Sequence, residues 1–513
     1  MNKKIQQTPF LIIHFCARKS DNNDIRYTDC RDAKRVYKKT GGIDMKKRTM
    51  ALLMAGAMVT SVFTGCSKQA APESTAAKTE AAGTEAAGAT EAEKTEAPTE
   101  SKKSVALNVM TTFAGEDGNA PNYQKAVKDW EAETGNKVND SSAVSDETVK
   151  ARVASDFQMG SEPDVLFWFN GADANSFIEA GKVMTIEDIR KEYPDYASNM
   201  NDDLIAASLV DGKKYAVPVN GFWEAMFVNT TVLDAAGVAV PGPDYTWDQF
   251  LADCEKIKEA GYSPIAAALG NIPHYWWEYA IFNHNTTDNH CDIPETADDA
   301  QGQSWVAGIG DVKDLYEKGY FPKNTLSATD DDTFLMFTED KAAFLIDGSW
   351  KVGGIAGACQ SDPEDPATMD TAKLDKFTVT YVPGKGDRKA TDLIGGLSMG
   401  YYITKKAWED PDKREAAVNF VEYMTSDEIV PIFAQHTASA LKNAPEVDQT
   451  QFNSLQVKAM DMMSGVTSLT PAVQDIFQGE CRTSTFDGMP QIVTGKVAIE
   501  DAVKEGLEIY HAN

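Results

Sequence analysis

Short β-branched or aromatic runs alternate with longer amphipathic stretches through residues 105–513, which predicts an α/β protein built around a parallel-rich sheet. Two observations carry that prediction. Val165–Phe169 (VLFWF) is apolar at every position, the pattern of a strand covered on both faces. Between such runs, apolar residues recur at helical spacing, as at Tyr123, Val127 and Trp130. The stretch is long enough for two sizeable cores, and it contains no short-period repeat.

Before the globular part come three segments. Residues 1–44 are polar and basic without sustained periodicity, and the simplest reading is an over-long gene start with translation beginning at Met45. Lys46, Lys47 and Arg48 then precede an apolar run from Ala51 to Phe63, too short to span a bilayer and suited to a signal peptide. Thr64 and Gly65 stand directly before Cys66, so residues 45–66 resemble a bacterial lipoprotein signal, in which the cysteine would be acylated. Residues 67–104 follow as a tether. Its 70–100 portion holds 11 Ala, 7 Glu and 6 Thr with no aromatic, Leu, Ile, Val or Met, so no core forms there. The expected location is therefore the outer face of a cell membrane, reached through the lipid alone.

The elements of the body then follow in order. Val105–Thr111 alternates as an opening strand, and Tyr123–Thr134 reads as a helix closed by Gly135. Thr246–Ala260 has an N-cap threonine and ends at Gly261. Ala342–Ile346 reads as a buried strand. Pro411–Ser426 carries Ala416, Phe420 and Met424 on one helical face.

Charge excludes several classes of function. Residues 1–66 carry 13 Lys and Arg against 5 Asp and Glu, so the rest of the chain is eight units more negative than the whole chain's −29, or −37. So acidic a body suits neither nucleic acid nor anionic lipid, both of which need a basic face. A neutral, hydroxyl-rich ligand is compatible. The cysteines of the body, Cys254, Cys291, Cys359 and Cys481, show no C-x-x-C pairing; buried free thiols or one disulfide are both open. His274, His284 and His290 with Cys291 match no zinc pattern, and Asp330-Asp331-Asp332 lacks the spacing of a calcium loop, so no metal and no cofactor are expected. No H-E-x-x-H, G-x-S-x-G or phosphate-binding glycine loop occurs in the body.

The run Gly160-Ser161-Glu162-Pro163-Asp164-Val165 after an amphipathic stretch is similar to an element of the family 1 extracellular solute-binding proteins, which serve ABC importers of sugars. The likeness continues through Tyr215-Ala216-Val217-Pro218, Phe227–Thr230, Tyr245–Phe250, Gly261–Ile265, Phe337–Trp350, Gly395-Gly396 and Phe420–Met424. It covers 105–513 in order. The resemblance implies a two-lobed periplasmic-binding-protein-like fold with a hinge of crossing segments. Lobe 1 would be 105–219 plus 342–394, and lobe 2 would be 220–341 plus 395–513. Gly221 and Gly395-Gly396 fall at the implied crossings.

A sugar site needs flat aromatics for the ring faces and carboxylates or amides for the hydroxyl edge. Trp350 with Asp347, after the buried strand, is the leading candidate by position in the family. Trp223 and Glu224 follow the first crossing. Trp168 or Asn170 ends the VLFWF strand, where period-two alternation keeps Trp168 and Phe169 from sharing a face. His274–Glu278 places four rings in succession, which no regular helix is expected to bury entirely, so Trp276 or Trp277 is expected in the cleft. Thr112, Phe113 and Glu116 lie in the first loop, and Arg482 and Asp487 are weaker candidates. The expected function is an importer's carbohydrate receptor: a monomer delivering a mono- or oligosaccharide to permease subunits. A surface-anchored glycosidase or polysaccharide-adhesion lipoprotein is the alternative.

Overall fold

The computed structural model describes residues 104–512 apart from 116, 272–273, 363–364, 444–449 and 451. The expectations for the signal, Cys66, the tether as far as Lys103, and Glu116 lie outside the described residues.

Ten strands are formed among the described residues: β1 (Ala106–Met110), β2 (Lys137–Asp140), β3 (Val165–Phe169), β4 (Phe222–Asn229), β5 (Ser263–Ile265), β6 (Ala342–Gly348), β7 (Phe377–Thr380), β8 (Asp392–Gly396), β9 (Met399–Ile403) and β10 (Ser468–Thr470). They make two sheets. The first has the order β2-β1-β3-β9, parallel except for antiparallel β9. The second runs β10-β8-β4-β6-β5, with β7 also paired to β4. In it β4 runs antiparallel to β6, β7 and β8, so this sheet is mixed rather than parallel-rich.

Helix ends follow local chemistry. The helix Ala120–Thr134 starts three residues before the expected Tyr123, because Pro121 fits the first turn, where no N–H partner is needed. It stops at Gly135, whose φ of 73° suits a residue without Cβ. Thr246 and Gln249 form a reciprocal capping box at Trp247–Glu259. Asp410 caps Pro411–Met424, which buries Ala416, Phe420 and Met424 as its spacing predicts.

Each sheet has its own core. Leu107, Trp130, Phe167, Tyr401 and Phe420 belong to one cluster around the first sheet, and Phe227, Phe250, Phe344, Ile394, Phe477 and Leu507 to another around the second. This gives two lobes with boundaries unlike those expected. Residues 342–394 were placed in lobe 1, but β6 pairs Phe344–Gly348 with Glu224–Val228 of β4 and sits inside the second lobe. Conversely, β9 pairs along the whole of β3, and the helix Pro411–Met424 packs with it, so 399–424 belong to the first lobe rather than the second. Pairings between strands more than a hundred residues apart decide lobe membership, and no local pattern encodes them. The crossings themselves fall as expected. Gly395 and Gly396 pair with Trp223 and Phe222 at the start of β4, and Gly396 has φ 154°. A Cβ at Gly221 would stand 2.5 Å from the Gly396 carbonyl oxygen, so only glycine allows this approach.

Candidate functional site

The site lies where the lobes face each other beside the crossings. Strand alternation decides which β4 side chains reach it. Phe222 and Glu224 share one face, and Trp223 points to the other. Trp223 is fully buried and donates its indole N–H to the His436 carbonyl at 2.9 Å, anchoring a crossing segment. It is a structural residue of the junction.

Opposite Glu224, β6 ends in Asp347 and Gly348. Gly348 has a steric reason to be glycine: a Cβ would fall 2.1–2.3 Å from Cη2, Cζ3 and Cζ2 of Trp350. The indole can therefore lie back over the strand end. There it is half-buried, with its ring centroid 6.5 Å from that of Phe222 and 6.3 Å from that of Tyr275. The result is a cluster of three rings beside the strand end that carries Asp347.

Asp347 and Glu224 are fully enclosed. Burial pushes the Asp347 carboxyl up to about 7, against the pull of Lys351. Its Oδ2 accepts no hydrogen bond, and Lys351 Nζ stands 4.0 Å away. Burial also raises Glu224 well above the usual carboxylate range, helped by the charges of Glu278, Asp475 and Asp347. Lys351 itself is held between Asp330 at 3.5 Å and the Phe334 ring at 4.2 Å.

The first lobe contributes the end of β3. Phe169 and Asn170 are half-buried, and Asn170 donates its backbone N–H to Ser398 at 2.8 Å and its side-chain amide to Leu397 at 3.2 Å. Trp168, on the opposite face from Phe169, is core. The lobes touch at two glycine contacts. A Cβ at Gly353 would stand 2.2 Å from the Gly118 Cα, and one at Gly171 would stand 2.4 Å from the Asp475 carbonyl oxygen.

Several expected residues are elsewhere. The ring row forms the helix His274–Phe282, and its residues from Tyr275 to Phe282 are all buried. Trp276 packs edge-on to Phe321, and Trp277 stacks on Phe486 with centroids 3.8 Å apart and planes 7° apart. Both are core, so the expectation that one lines the cleft is corrected. A central helix enclosed by other helices buries rings all round. Tyr275, passed over in the sequence, is the ring that reaches Trp350. Phe113 is core, stacked 4.5 Å from Phe167, and Thr112 is buried beside it. Arg482 pairs with Asp487 at 3.2 Å within the second lobe. Glu278, also buried, accepts from the backbone N–H groups of Val473 and Gln474 and bonds His290, fixing the turn that carries Asp475. His290 lies in the turn after the helix His274–Phe282 with its side chain buried. Among the described residues no cluster suited to a metal ion is found, and Cys254, Cys291, Cys359 and Cys481 form no disulfide with one another.

Comparison with known proteins agrees with this architecture. A multiple sugar-binding protein of Streptococcus mutans is 23% identical over 317 residues, covering 59% of this chain and 67% of its own. A chitin oligosaccharide binding protein superposes with a TM-score of 0.66 at 21% identity, over 80% of this chain and 98% of its own. A solute-binding protein from Thermotoga lettingae bound with α-D-tagatose superposes with a TM-score of 0.62 at 17% identity, over 80% and 99%. The sequence profile of the bacterial extracellular solute-binding proteins matches residues 116–431, more than half of the chain. The chain therefore belongs to the bacterial extracellular solute-binding proteins, a family that binds its solute rather than transforming it, which sets aside the glycosidase alternative.

Proposed function

We propose that the protein is the carbohydrate receptor of an ABC importer, tethered to the outer face of the cell membrane by a lipid on Cys66 and presenting its sugar to the permease. The observation that carries this reading is the Trp350 platform. A half-buried indole is flanked by Phe222 and Tyr275, at the strand end where Asp347 and Gly348 pair with Ala225 and Glu224. Flat rings cover the C–H face of a pyranose, and carboxyl oxygens accept from its hydroxyls. The sugar-binding names of the similar proteins support the same ligand class. The K-K-R cluster, apolar run and T-G-C order support the anchor.

Thermal shift across glucose, galactose, maltose, cellobiose and N,N′-diacetylchitobiose tests the ligand class. A saturable rise in melting temperature with at least one of them is expected, and no shift with any would count against the reading. Labelled palmitate should enter the wild type and not Cys66→Ala. Equal incorporation by both would remove the anchor.

A further inference from the structure

The second lobe carries two cavities, of about 370 and 430 Å³, that share Gly386 in their walls. Both stand apart from the Trp350 rings. The helix His274–Phe282 runs from Tyr275, beside Trp350, to Asn283 at the wall of the first cavity. Its 9 residues span roughly 13 Å. From the second cavity, which Thr391 lines, β8 leads away to the crossing at Gly395 and Gly396.

Every residue around the 370 Å³ cavity except Ala300 and Gly386 carries a polar side chain. Part of this wall is tied together: Thr286 donates its N–H and its hydroxyl to Asn289 Oδ1, each at 2.8 Å, and Gln301 donates to the Asn289 carbonyl at 2.8 Å. Two buried amides in the wall are left half-satisfied. Asn283 is 2% exposed, and its Oδ1 accepts from Arg388 Nε at 2.8 Å. That bond fixes the amide's orientation and leaves Asn283 Nδ2 without a partner. Arg388 is itself immobilised by the carbonyls of Val382, Pro383, Lys389 and Asp392. Asn285, 5% exposed, donates its Nδ2 to the Ile281 carbonyl at 3.1 Å, and its Oδ1 accepts no hydrogen bond among the described residues. Buried polar groups are rarely left in that state. One amide lacks an acceptor and the other a donor, and hydroxyl groups are both. No Lys or Arg lines this cavity, which disfavours an anion, and Ala300 is its one apolar side chain, which disfavours a peptide.

We propose that the second lobe carries an accessory saccharide site, separate from the cleft, in which Asn283 and Asn285 hold hydroxyls of a neutral oligosaccharide. The next units of the chain pass Gly386 into the 430 Å³ cavity, whose wall includes the half-buried Trp247. Gly386 has φ 62°, and a Cβ there would stand 3.3 Å from the Asn283 carbonyl oxygen, so a side chain is disfavoured where the cavities meet. The site does not depend on the cleft reading. Where both hold, a glycan kept on the lobe raises the local concentration of its chain ends beside the cleft.

The test follows maltohexaose, cellohexaose, xylohexaose and chitohexaose by ligand-observed NMR with the full-length protein. In Trp350→Ala, which weakens the cleft, at least one hexasaccharide should still bind. Ala300 is exposed at the start of the helix Ala300–Glu317, so Ala300→Trp fills the cavity without disturbing the core. Added to Trp350→Ala, it should weaken that binding roughly tenfold or more at an unchanged melting temperature, and Asn285→Ala should weaken it likewise. Ala300→Trp alone should leave the calorimetric affinity of the cleft as in the wild type. Binding that survives Ala300→Trp, or no hexasaccharide bound by Trp350→Ala, would overturn the accessory site. Binding abolished by Ala300→Trp in a protein with no calorimetric cleft binding would uphold this site and remove the cleft reading alone.

Discussion

Trp277 and Trp350 are both tryptophans in aromatic surroundings, yet the structure assigns them opposite physical roles. Trp277 is fully buried and sandwiched on Phe486, so Trp277→Ala should cost ~3–5 kcal/mol of stability, read from a denaturation curve. An unchanged midpoint would place it outside the core. His436 gives a second test at this scale. It packs 5.8 Å from the Trp223 ring, and burial lowers its imidazole to about 4 from the ordinary 6.5. The unfolded chain therefore takes up a proton below about pH 6.5 that the folded chain refuses until about pH 4. Stability from this residue is present above pH 6.5 and is lost as pH falls through that window. Asp347 and Asp475 act in the opposite sense. Their raised values, about 7 and about 8, mean that the folded state holds protons the unfolded state has released, so their contribution is lost as pH rises. His436→Gln should flatten the acid-side fall in melting temperature between pH 6.5 and 4. An acid limb identical to the wild type's would remove His436 from the account.

At the scale of elements, legibility in the sequence tracked how local the governing physics was. Helix ends set by Gly135, the Thr246 N-cap and Pro411 were readable because each depends on neighbours within a turn. The buried character of β3 and β6 was readable from their apolar runs. Their partners were not: β6 could as well have joined the first sheet until its pairing with β4 was seen. The candidate site divides along the same line. Trp350 and Asp347 could be named as candidates because the resemblance to the family marks the position after a buried strand. Tyr275 was passed over, because its approach to Trp350 depends on packing between elements far apart in the chain. The helix Lys351–Ala358 offers a prediction here. Ala is a better helix former than Gly by ~1 kcal/mol, so Gly353→Ala should not lower the melting temperature of the unliganded protein. The added Cβ would meet the Gly118 Cα across the seam at 2.2 Å, so the arrangement of the lobes described above becomes rarer and apparent sugar affinity should fall roughly tenfold or more. Undiminished affinity would show that ligand binding does not require this contact.

For the molecule as a whole, two sheets with separate cores are joined at the glycine crossings. A chain starting at Ser104 should melt within a few degrees of the full-length chain and bind the same sugar with equal affinity, since residues 70–100 hold no aromatic, Leu, Ile, Val or Met. A marked drop in its melting temperature would show that the tether contributes to the body. The central claim is that the lobes bind a carbohydrate on the Trp350 platform. Its most direct test is calorimetric titration of wild type and Trp350→Ala with the best sugar of the panel, alongside melting curves for both. The account predicts binding weakened roughly tenfold or more, with the melting temperature of the unliganded protein little changed. Unchanged affinity accompanied by a large loss of stability would contradict it, returning Trp350 to the core and leaving the cleft without its platform.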